Sequence, residues 1–258
     1  YLGDYPMFLP GGKEQIAGEY QPGWMLLSYG KKVSVSSSLE GYPAENIVDE
    51  DARTAWVAQS NRDMEWAQVD LQRLSSIHAI QVNFDEYGAN QKGAVSGVYQ
   101  SYLIYASVNG EDWSLVVDYG TKKTDTPHDY IEFEEPFKAR YIKLQNKEYT
   151  VSENFSVRDL RIFGKGQGST PRAVNDFTVE RDEADPCKAR LCWEAVPDAQ
   201  GYIVRYGIAG DKLYNNFQVM GENTLEIGSL NKGVAYYFTI DAYNENGITR
   251  TSRIKVCR

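Results

Sequence analysis

Histidine and cysteine are scarce in this chain of 258 residues, which contains two histidines and three cysteines. His78 and His128 lie far apart in the sequence, and they leave little room for a histidine-rich metal site or a histidine-centred catalytic triad. Cys187, Cys192 and Cys257 allow either one internal disulfide with a free thiol or three buried thiols. Three cysteines in a chain of this length do not make a disulfide scaffold.

Positive charge and long apolar runs are also in short supply. Lys and Arg number 27 against 36 Asp and Glu, which gives a net charge of −9. This balance argues against a nucleic-acid partner, because neutralising phosphates requires a basic surface. No apolar run approaches the roughly 20 residues that cross a bilayer, so we expect no membrane insertion. The first residues lack the basic and apolar regions of a signal peptide, and we interpret the chain as a mature or excised fragment.

Familiar catalytic motifs are missing as well. The sequence contains no G-x-S-x-G, no Walker loop and no H-E-x-x-H. Carboxylates that hydrolyse a glycosidic bond must face each other across a cleft. The acidic pairs Glu50-Asp51 and Glu134-Glu135 are more simply interpreted as solvated turns. We therefore expect no catalytic residues and no enzyme activity in this chain.

Aromatic residues are abundant, with 19 Tyr, 9 Phe and 5 Trp, and they suit β-sheet cores and stacking surfaces. Alternating apolar and polar residues predict short strands, and no segment shows a sustained helical period. The dipeptide Asn109-Gly110 predicts a hairpin. The predicted strands include residues 66–71, 80–84, 102–108, 130–133, 139–144 and 160–163, followed by 190–193, 201–206, 224–227, 236–242 and 252–256.

The predicted fold class is all-β, in four segments. Residues 1–23 contain many prolines and glycines, which predicts an irregular N-terminal strap lying over another surface. Residues 24–166 predict a β-sandwich of about eight strands. A Gly-rich linker follows at 167–171. Residues 172–258 carry short strands at the spacing of an immunoglobulin-like sandwich.

The last segment resembles a fibronectin type III domain. The resemblance implies a spacer or binding platform without chemistry of its own. Tyr236 fits the tyrosine corner of such domains, in which the ring fills the core and the hydroxyl holds the preceding loop. The residues that carry the resemblance are Trp193, the strand Tyr202-x-Val204-x-Tyr206, and Leu230 followed by Tyr236-x-Phe238-x-Ile240-x-Ala242.

The middle segment resembles a discoidin, or coagulation factor 5/8 type C, domain, and within that group the family 32 carbohydrate-binding modules. The resemblance implies a discoidin-type jelly-roll sandwich. Four phrases carry it in order: Ala44-Glu-Asn-Ile-Val-Asp49-Glu-Asp51-Ala-Arg-Thr54-Ala-Trp56, Trp66-x-Gln-Val-Asp-Leu71, Ala139-Arg-Tyr-Ile-Lys-Leu144 and Asp159-Leu-Arg-Ile-Phe-Gly164.

The loop Asp49-x-Asp51-x-x-Thr54 can direct several oxygens at one point, which suits a hard cation such as Ca²⁺. Alternatively, it is a solvated turn in which Asp49 caps backbone amides. The family resemblance implies a structural Ca²⁺ here, and the family more often has Glu at the position of Asp159. The implied ligands are the carboxylates of Asp49 and Asp159, the carbonyls of Asn46, Asp51 and Arg158, and the carbonyl and hydroxyl of Thr54.

Sugar-binding sandwiches hold ligands on loops at one end, with an aromatic face against the ring and polar groups on its hydroxyls. The candidate loops are residues 57–65, 85–100, 122–130 and 147–155. Galactose-binding relatives tend to have His and Trp where this chain has Val57 and Ser60, so a galactose-type pocket is doubtful. His128 is either a ligand contact or a residue that fixes its loop. The candidate ligand residues are Asn61, Arg62, Tyr87, Asn90, Gln91, His128, Tyr149 and Phe155.

These resemblances imply a non-catalytic accessory region that binds a polysaccharide or glycan. The opening residues and the segment from Gly23 to Gly30 resemble the junction after the catalytic domain in gut-bacterial, Bacteroides-like family 43 glycoside hydrolases. We therefore expect a secreted, periplasmic or cell-surface location and a catalytic-domain partner in a longer parent chain. The alternative is a structural or protein-interaction pair of modules without sugar affinity.

Overall fold

The computed structural model describes residues 8–10, 22–89 and 97–258. The chain forms two compact units, the first ending at Gln167 and the second beginning at Gly168. Strands and one short 3₁₀ helix are the regular elements of the described residues, in agreement with the all-β prediction. No helix among them has the length and apolar character of a membrane span.

The described residues of the first unit form nine strands that are hydrogen-bonded into one folded-over sheet. Its 3₁₀ helix spans Ala44–Val48. The strands are β1 (Phe8–Pro10), β2 (Pro22–Leu26), β3 (Lys32–Val35), β4 (Trp56–Val57), β5 (Trp66–Phe84), β6 (Gln100–Ser107), β7 (Ser114–Tyr119), β8 (His128–Tyr149) and β9 (Ser156–Lys165).

Two of these strands are much longer than the sequence pattern predicts. The predicted strands at 66–71 and 80–84 are parts of β5, and those at 130–133 and 139–144 are parts of β8. The first part of β5 pairs with β3, the second part pairs with β9, and β8 accompanies β5 along both. Irregularities in the β5–β8 pairing between Asp70 and Ser75 and between Ile77 and Ala79 let one strand serve both layers of the sandwich.

Two stretches of the N-terminal segment, which is predicted to be an irregular strap, form short strands where the structure describes them. β1 pairs antiparallel with β2, and β2 pairs with β9, so this part of the segment extends the sheet. Residues 1–7 and 11–21 lie outside the described residues. The predicted hairpin at Asn109-Gly110 is confirmed, because β6 and β7 pair across it and Gly110 has a φ of 83°.

The core of the first unit lies between the layers and is lined by side chains from alternate positions of the strands. Trp56, the last residue of the first family phrase, is fully buried and packs edge-to-face on Phe155. Burial of such large apolar side chains stabilises a fold by roughly 2 to 3 kcal/mol each. Buried members include Ile47, Val69, Ile80, Ile104, Leu144 and Ile162.

The second unit has two sheets, ordered β10-β11-β14 and β13-β12-β15-β16, with β17 also paired to β15. Their inner faces share one apolar core that includes Trp193, Tyr206 and Phe238. Cys187, Cys192 and Cys257 are free thiols. The strands are β10 (Phe177–Arg181), β11 (Ala189–Trp193), β12 (Gly201–Gly207), β13 (Asn215–Met220), β14 (Thr224–Ile227), β15 (Tyr236–Asn244), β16 (Gly247–Thr249) and β17 (Lys255–Cys257).

Candidate functional site

The loop between the 3₁₀ helix and β4 folds around the carboxylate of Asp49. Asp49 Oδ1 accepts the N–H of Asp51 at 2.9 Å, and Oδ2 accepts the hydroxyl of Thr54 at 2.8 Å. The side-chain amide of Asn46 donates to the carbonyl oxygen of Ala55 at 2.8 Å. The side-chain oxygens of Asp49 and Thr54 are thus gathered in one tight turn with the backbone of Asp51.

Asp159 on β9 supplies a second carboxylate to the same region. Its side chain is fully buried, Oδ2 accepts the Asn83 amide at 2.9 Å, and Oδ1 has no hydrogen-bond partner among the described residues. Burial raises the pKa of Asp159, and the charge of Asp49 adds to the rise, against the Asn83 hydrogen bond and the charge of Arg161. A buried oxygen without a donor is costly unless a cation or water satisfies it.

A buried ion pair lies beside these two aspartates. Arg161 Nη2 is 3.0 Å from Glu50 Oε2, and both side chains are at most 3% exposed. Burial raises the pKa of Glu50 despite Arg161, and the charges of Asp159 and Asp49 raise it further. Arg158 is engaged with Asp85, at 2.6 Å. Three carboxylates therefore share this region, and Arg161 forms an ion pair with one of them, Glu50.

The residues predicted to hold Ca²⁺ fit a hard cation. They offer carboxylate, carbonyl and hydroxyl oxygens, which calcium prefers, and the orphaned Asp159 oxygen lacks a donor. Only two of the implied calcium ligands are carboxylate side chains, those of Asp49 and Asp159, and the others are carbonyl and hydroxyl oxygens. Among the described residues, no group of three or more His, Cys, Asp or Glu side chains is arranged to hold a metal. The calcium role of these residues stays a prediction.

A polar depression of about 530 Å³ lies where the 57–65 loop meets the end of β3. This loop is one of the four predicted to contact a ligand. Arg62 lines the depression, whereas Asn61 turns its amide toward the carbonyl oxygens of Tyr149 and Ser152 at 3.1 and 2.8 Å and so fixes the loop. The lining residues are Ser36, Ser37, Gln59, Ser60, Arg62, Asp63, Met64 and Glu65.

Glu65 organises this depression. Its carboxylate accepts hydrogen bonds from Ser37 at 2.8 Å, from Ser60 at 2.7 Å and from Ser36. Burial raises the pKa of Glu65, but the three hydroxyls and the charge of Arg62 outweigh it, so the pKa is lowered overall. The sequence gives no sign of this role for Glu65, because Ser36 and Ser37 lie about thirty residues earlier, just after β3, and no local pattern links them to it.

Two predicted ligand residues belong to the core, which corrects the expectation that they contact a ligand. Tyr149 is the last residue of β8 and is 2% exposed, and Phe155 is fully buried. Their rings pack edge-to-face, with centroids 5.4 Å apart. The Tyr149 hydroxyl donates to the Asp85 carbonyl oxygen. Both side chains are therefore packing residues beneath the loops.

Tyr87 and His128 are not among the residues that line the depression. The Tyr87 ring packs edge-on against Tyr42, with centroids 4.9 Å apart. His128 Nδ1 is 3.1 Å from Asn83 Oδ1, the residue that also bonds Asp159, so His128 has a loop-fixing contact. The His128 side chain is exposed, and a ligand contact by it stays a prediction. Asn90 and Gln91 lie outside the described residues.

Comparison with known proteins identifies the first unit. Residues 32–160, half of the chain, match the F5/8 type C domain family. Together with the jelly-roll sandwich, this match shows that the chain belongs to the F5/8 type C family. The family is that of a non-catalytic module, in agreement with the prediction that this chain is not an enzyme.

Similar proteins include two lactadherins and several solved modules. Lactadherins of Rattus norvegicus and Mus musculus are 33% and 32% identical over 110 residues, which is 40% of this chain but 25% and 23% of theirs. The chain thus spans about a quarter of these relatives. Chitosan-binding module 1 of a Paenibacillus sp. IK-5 chitosanase/glucanase is 20% identical, with a TM-score of 0.46 over 54% of this chain and 98% of the module. The family 32 module of C. perfringens NanJ, solved with galactose, is 18% identical, with a TM-score of 0.44 over 54% and 98%.

Proposed function

We propose that the first unit is a non-catalytic carbohydrate-binding module whose ligand occupies the depression beside the 57–65 loop. Membership of the F5/8 type C family supports a binding role for this sandwich. The observation that carries the proposal is the depression itself, because it combines hydrogen-bond donors and acceptors on a fixed loop. Sugars need this mixture of polar groups at a concave site.

The depression is held in shape before any ligand arrives. Asn146 Nδ2 donates to the carbonyl oxygens of Asn61 and Arg62 at 2.8 and 2.9 Å. Asn154 Nδ2 donates to the carbonyl oxygen of Ala58 at 2.9 Å, and Glu65 ties the loop to the segment just after β3. A fixed loop lowers the ordering cost of binding, which matters for weak ligands such as single sugars. Arg62 and Gln59 then offer donors, and Asp63 offers acceptors.

A glycan array probed with the full chain tests this proposal. We expect a restricted set of plant or host glycans to bind, and Arg62→Ala to weaken that binding. Lys138→Ala is a matched control, because Lys138 is an exposed cation outside the depression. Silence across the array, or equal binding by the Arg62 and Lys138 variants, would contradict a glycan site at this depression.

We also propose that a structural Ca²⁺ joins the Asp49 loop to β9. The negative excess around Asp49, Glu50 and Asp159 and the orphaned Asp159 oxygen support it. Calorimetry should show that Ca²⁺ raises the melting temperature of the first unit and that EDTA reverses the rise. Asp159→Asn should abolish this response, while Asp51→Asn should keep it, because Asp51 is assigned only a carbonyl contact. A Ca²⁺ response that survives in Asp159→Asn would refute the assignment.

We infer that the second unit is a fibronectin type III spacer and that the chain is the accessory region of an exported glycoside hydrolase. The Tyr236 hydroxyl accepts the N–H of Asn231 at 3.2 Å, as expected for a tyrosine corner, and Trp193 packs on Tyr202 with centroids 5.1 Å apart. The parent enzyme and its location outside the cytoplasm rest on the resemblance of the N-terminal junction. Sequencing the parent gene tests them, and a parent without an upstream catalytic domain would refute them.

A second candidate function is a protein-interaction pair without sugar affinity. The depression contains no aromatic ring among its eight lining residues, all of which the structure describes. The second unit instead exposes Ile208 by 63% and Tyr214 by 80%. Apolar side chains left exposed to this extent are available for contact with another protein surface. A silent glycan array together with saturable binding to the parent catalytic domain would favour this function.

A further inference from the structure

Met64 occupies a turn position that normally belongs to glycine. The N–H of Glu65 donates to the carbonyl oxygen of Arg62 at 3.3 Å, which closes a four-residue turn with Met64 in third place. Met64 has a φ of 83°. This value is that of the third residue of a type II turn, where a side chain costs conformational free energy and glycine or asparagine is preferred.

Burial does not compensate for this cost, because the Met64 side chain is 61% exposed. Its sulfur accepts a hydrogen bond from Gln145 Nε2 at 3.1 Å, which holds the thioether against the outer face of the sheet. The side chain also lines the depression. A strained residue therefore presents an apolar group to solvent at the edge of an otherwise polar site.

The surroundings keep the turn in this conformation. The N–H of Met64 donates to the carbonyl oxygen of Asn146 at 3.2 Å, and the N–H of Asn146 donates to the carbonyl oxygen of Glu65 at 2.8 Å. The backbone of Asn146 is thus hydrogen-bonded to both the N–H of Met64 and the carbonyl oxygen of Glu65. Strain that a structure holds in place at a concave surface is a feature of binding sites.

The charges around the depression indicate the class of ligand. Asp63 pairs with Lys147, with Oδ2 and Nζ 2.6 Å apart. The positive charge of Arg62 stabilises the Glu65 carboxylate and lowers its pKa. The lining has one positive and two negative side chains, and Lys147 beside it neutralises Asp63, so the site carries no net charge that would favour an anionic or a cationic sugar. An uncharged ring with one apolar face and hydroxyls at its edge matches this balance.

We propose that Met64 is a specificity-determining residue that packs against the apolar face of an uncharged pyranose, in the place of an aromatic platform. This inference rests on the proposed carbohydrate function of the same depression. A thioether is polarisable and adaptable, and it can cover a sugar ring without a fixed ring plane. The neighbouring donors and acceptors then bind the hydroxyls.

The experiment is NMR of the full chain with ¹³C-methyl methionine and ¹⁵N amides, titrated with methyl β-D-glucopyranoside and methyl β-D-galactopyranoside. The chain has four methionines, so the Met64 methyl is assigned by its loss in Met64→Leu. We expect the Met64 methyl and the amides of residues 57–65 to shift, and the Met25 and Met220 methyls to stay. Glucuronate and glucosamine should shift them less than either neutral glycoside.

Variants separate an apolar contact from turn strain. Met64→Gly relieves the positive φ, so we expect an unchanged or higher melting temperature but at least about fivefold weaker binding, from the lost apolar contact. Met64→Leu should bind within about twofold of the native chain. Gln72→Gly is the matched control, because Gln72 also has a positive φ, of 66°, and lies outside the depression. It should relieve strain without changing affinity.

Each outcome decides the inference. Shifts of the loop amides without a shift of Met64, or native affinity in Met64→Gly, overturn the role of Met64 and leave the carbohydrate function standing. Stronger effects from glucuronate or glucosamine overturn the uncharged class. No shift at any residue of the depression, at glycoside concentrations of hundreds of millimolar, overturns the proposed carbohydrate function and this inference with it.

Discussion

Replacing Glu65 with Gln should destabilise the first unit at neutral pH. The carboxylate accepts hydroxyl donors from three serines, and hydrogen bonds to a charged acceptor contribute roughly 1.5 to 3 kcal/mol each. Gln keeps one acceptor oxygen, and the site is partly open to solvent, which screens the charge. We therefore expect a net loss of about 2 kcal/mol. In a unit of 167 residues this lowers the melting temperature by roughly 4 to 8 °C.

The pH dependence of this difference has a defined sign. The pKa of Glu65 is lowered in the folded state, so its stabilisation is present above the pKa of the unfolded chain. It is lost as the pH falls through the lowered folded-state pKa. The native chain and Glu65→Gln should therefore differ at pH 7 and converge under acid conditions.

Differential scanning calorimetry of the full chain is the assay, and the transition of the second unit serves as an internal reference. Asp63→Asn is the control for charge alone, since the Asp63–Lys147 pair is exposed and should contribute less than about 1 kcal/mol. An equal melting temperature for Glu65→Gln and the native chain at pH 7 would refute the role of Glu65 as the organiser of the loop. A difference that persists undiminished in acid would refute its electrostatic origin.

Two further substitutions test the packing of each unit. Gly164→Ala should cost about 3 kcal/mol or more in the first unit, because a Cβ at Gly164 would lie 2.0 Å from the Ser76 carbonyl oxygen. Denaturant unfolding measures the loss, with Gly228→Ala as a control in open space; equal stability of the two variants would contradict the close packing. Tyr236→Phe should cost the second unit about 1 kcal/mol, because the Asn231 N–H loses its acceptor. An unchanged second calorimetric transition would show that this corner adds no stability.

Local patterns predicted the β class and the hairpin but not the two long strands. In β5 the alternation of buried residues is interrupted at Gln72, Arg73 and Leu74, which are exposed. Such an interruption is typical of a turn between two strands. Here it marks the bend at which one strand passes from one layer to the other. The bend is stabilised by pairing with strands that are distant in the sequence, so a pattern of neighbouring residues cannot predict it.

The candidate sites also contain residues that local sequence patterns can predict and residues that only the fold brings together. The Asp49 loop is a contiguous phrase, so its residues could be predicted to lie together. Tyr149 and Phe155 are predicted to contact a ligand because aromatic residues near loop ends suit sugar stacking. In the structure both side chains are buried in the core. The role of Glu65 could not be predicted, since an acidic residue before a strand is common and two of its serine partners, Ser36 and Ser37, come from the distant segment after β3.

The passage of β5 and β8 through both layers has a consequence for length variation. Side chains alternate between faces at every residue, so inserting one residue at the bend would invert the inner and outer faces of one layer and leave the other unchanged. Neither strand can therefore gain or lose a residue without rebuilding half of the sandwich. Natural insertions among family members should collect in the connecting loops, and proteins that diverge in ligand should differ there while the two spans keep constant lengths.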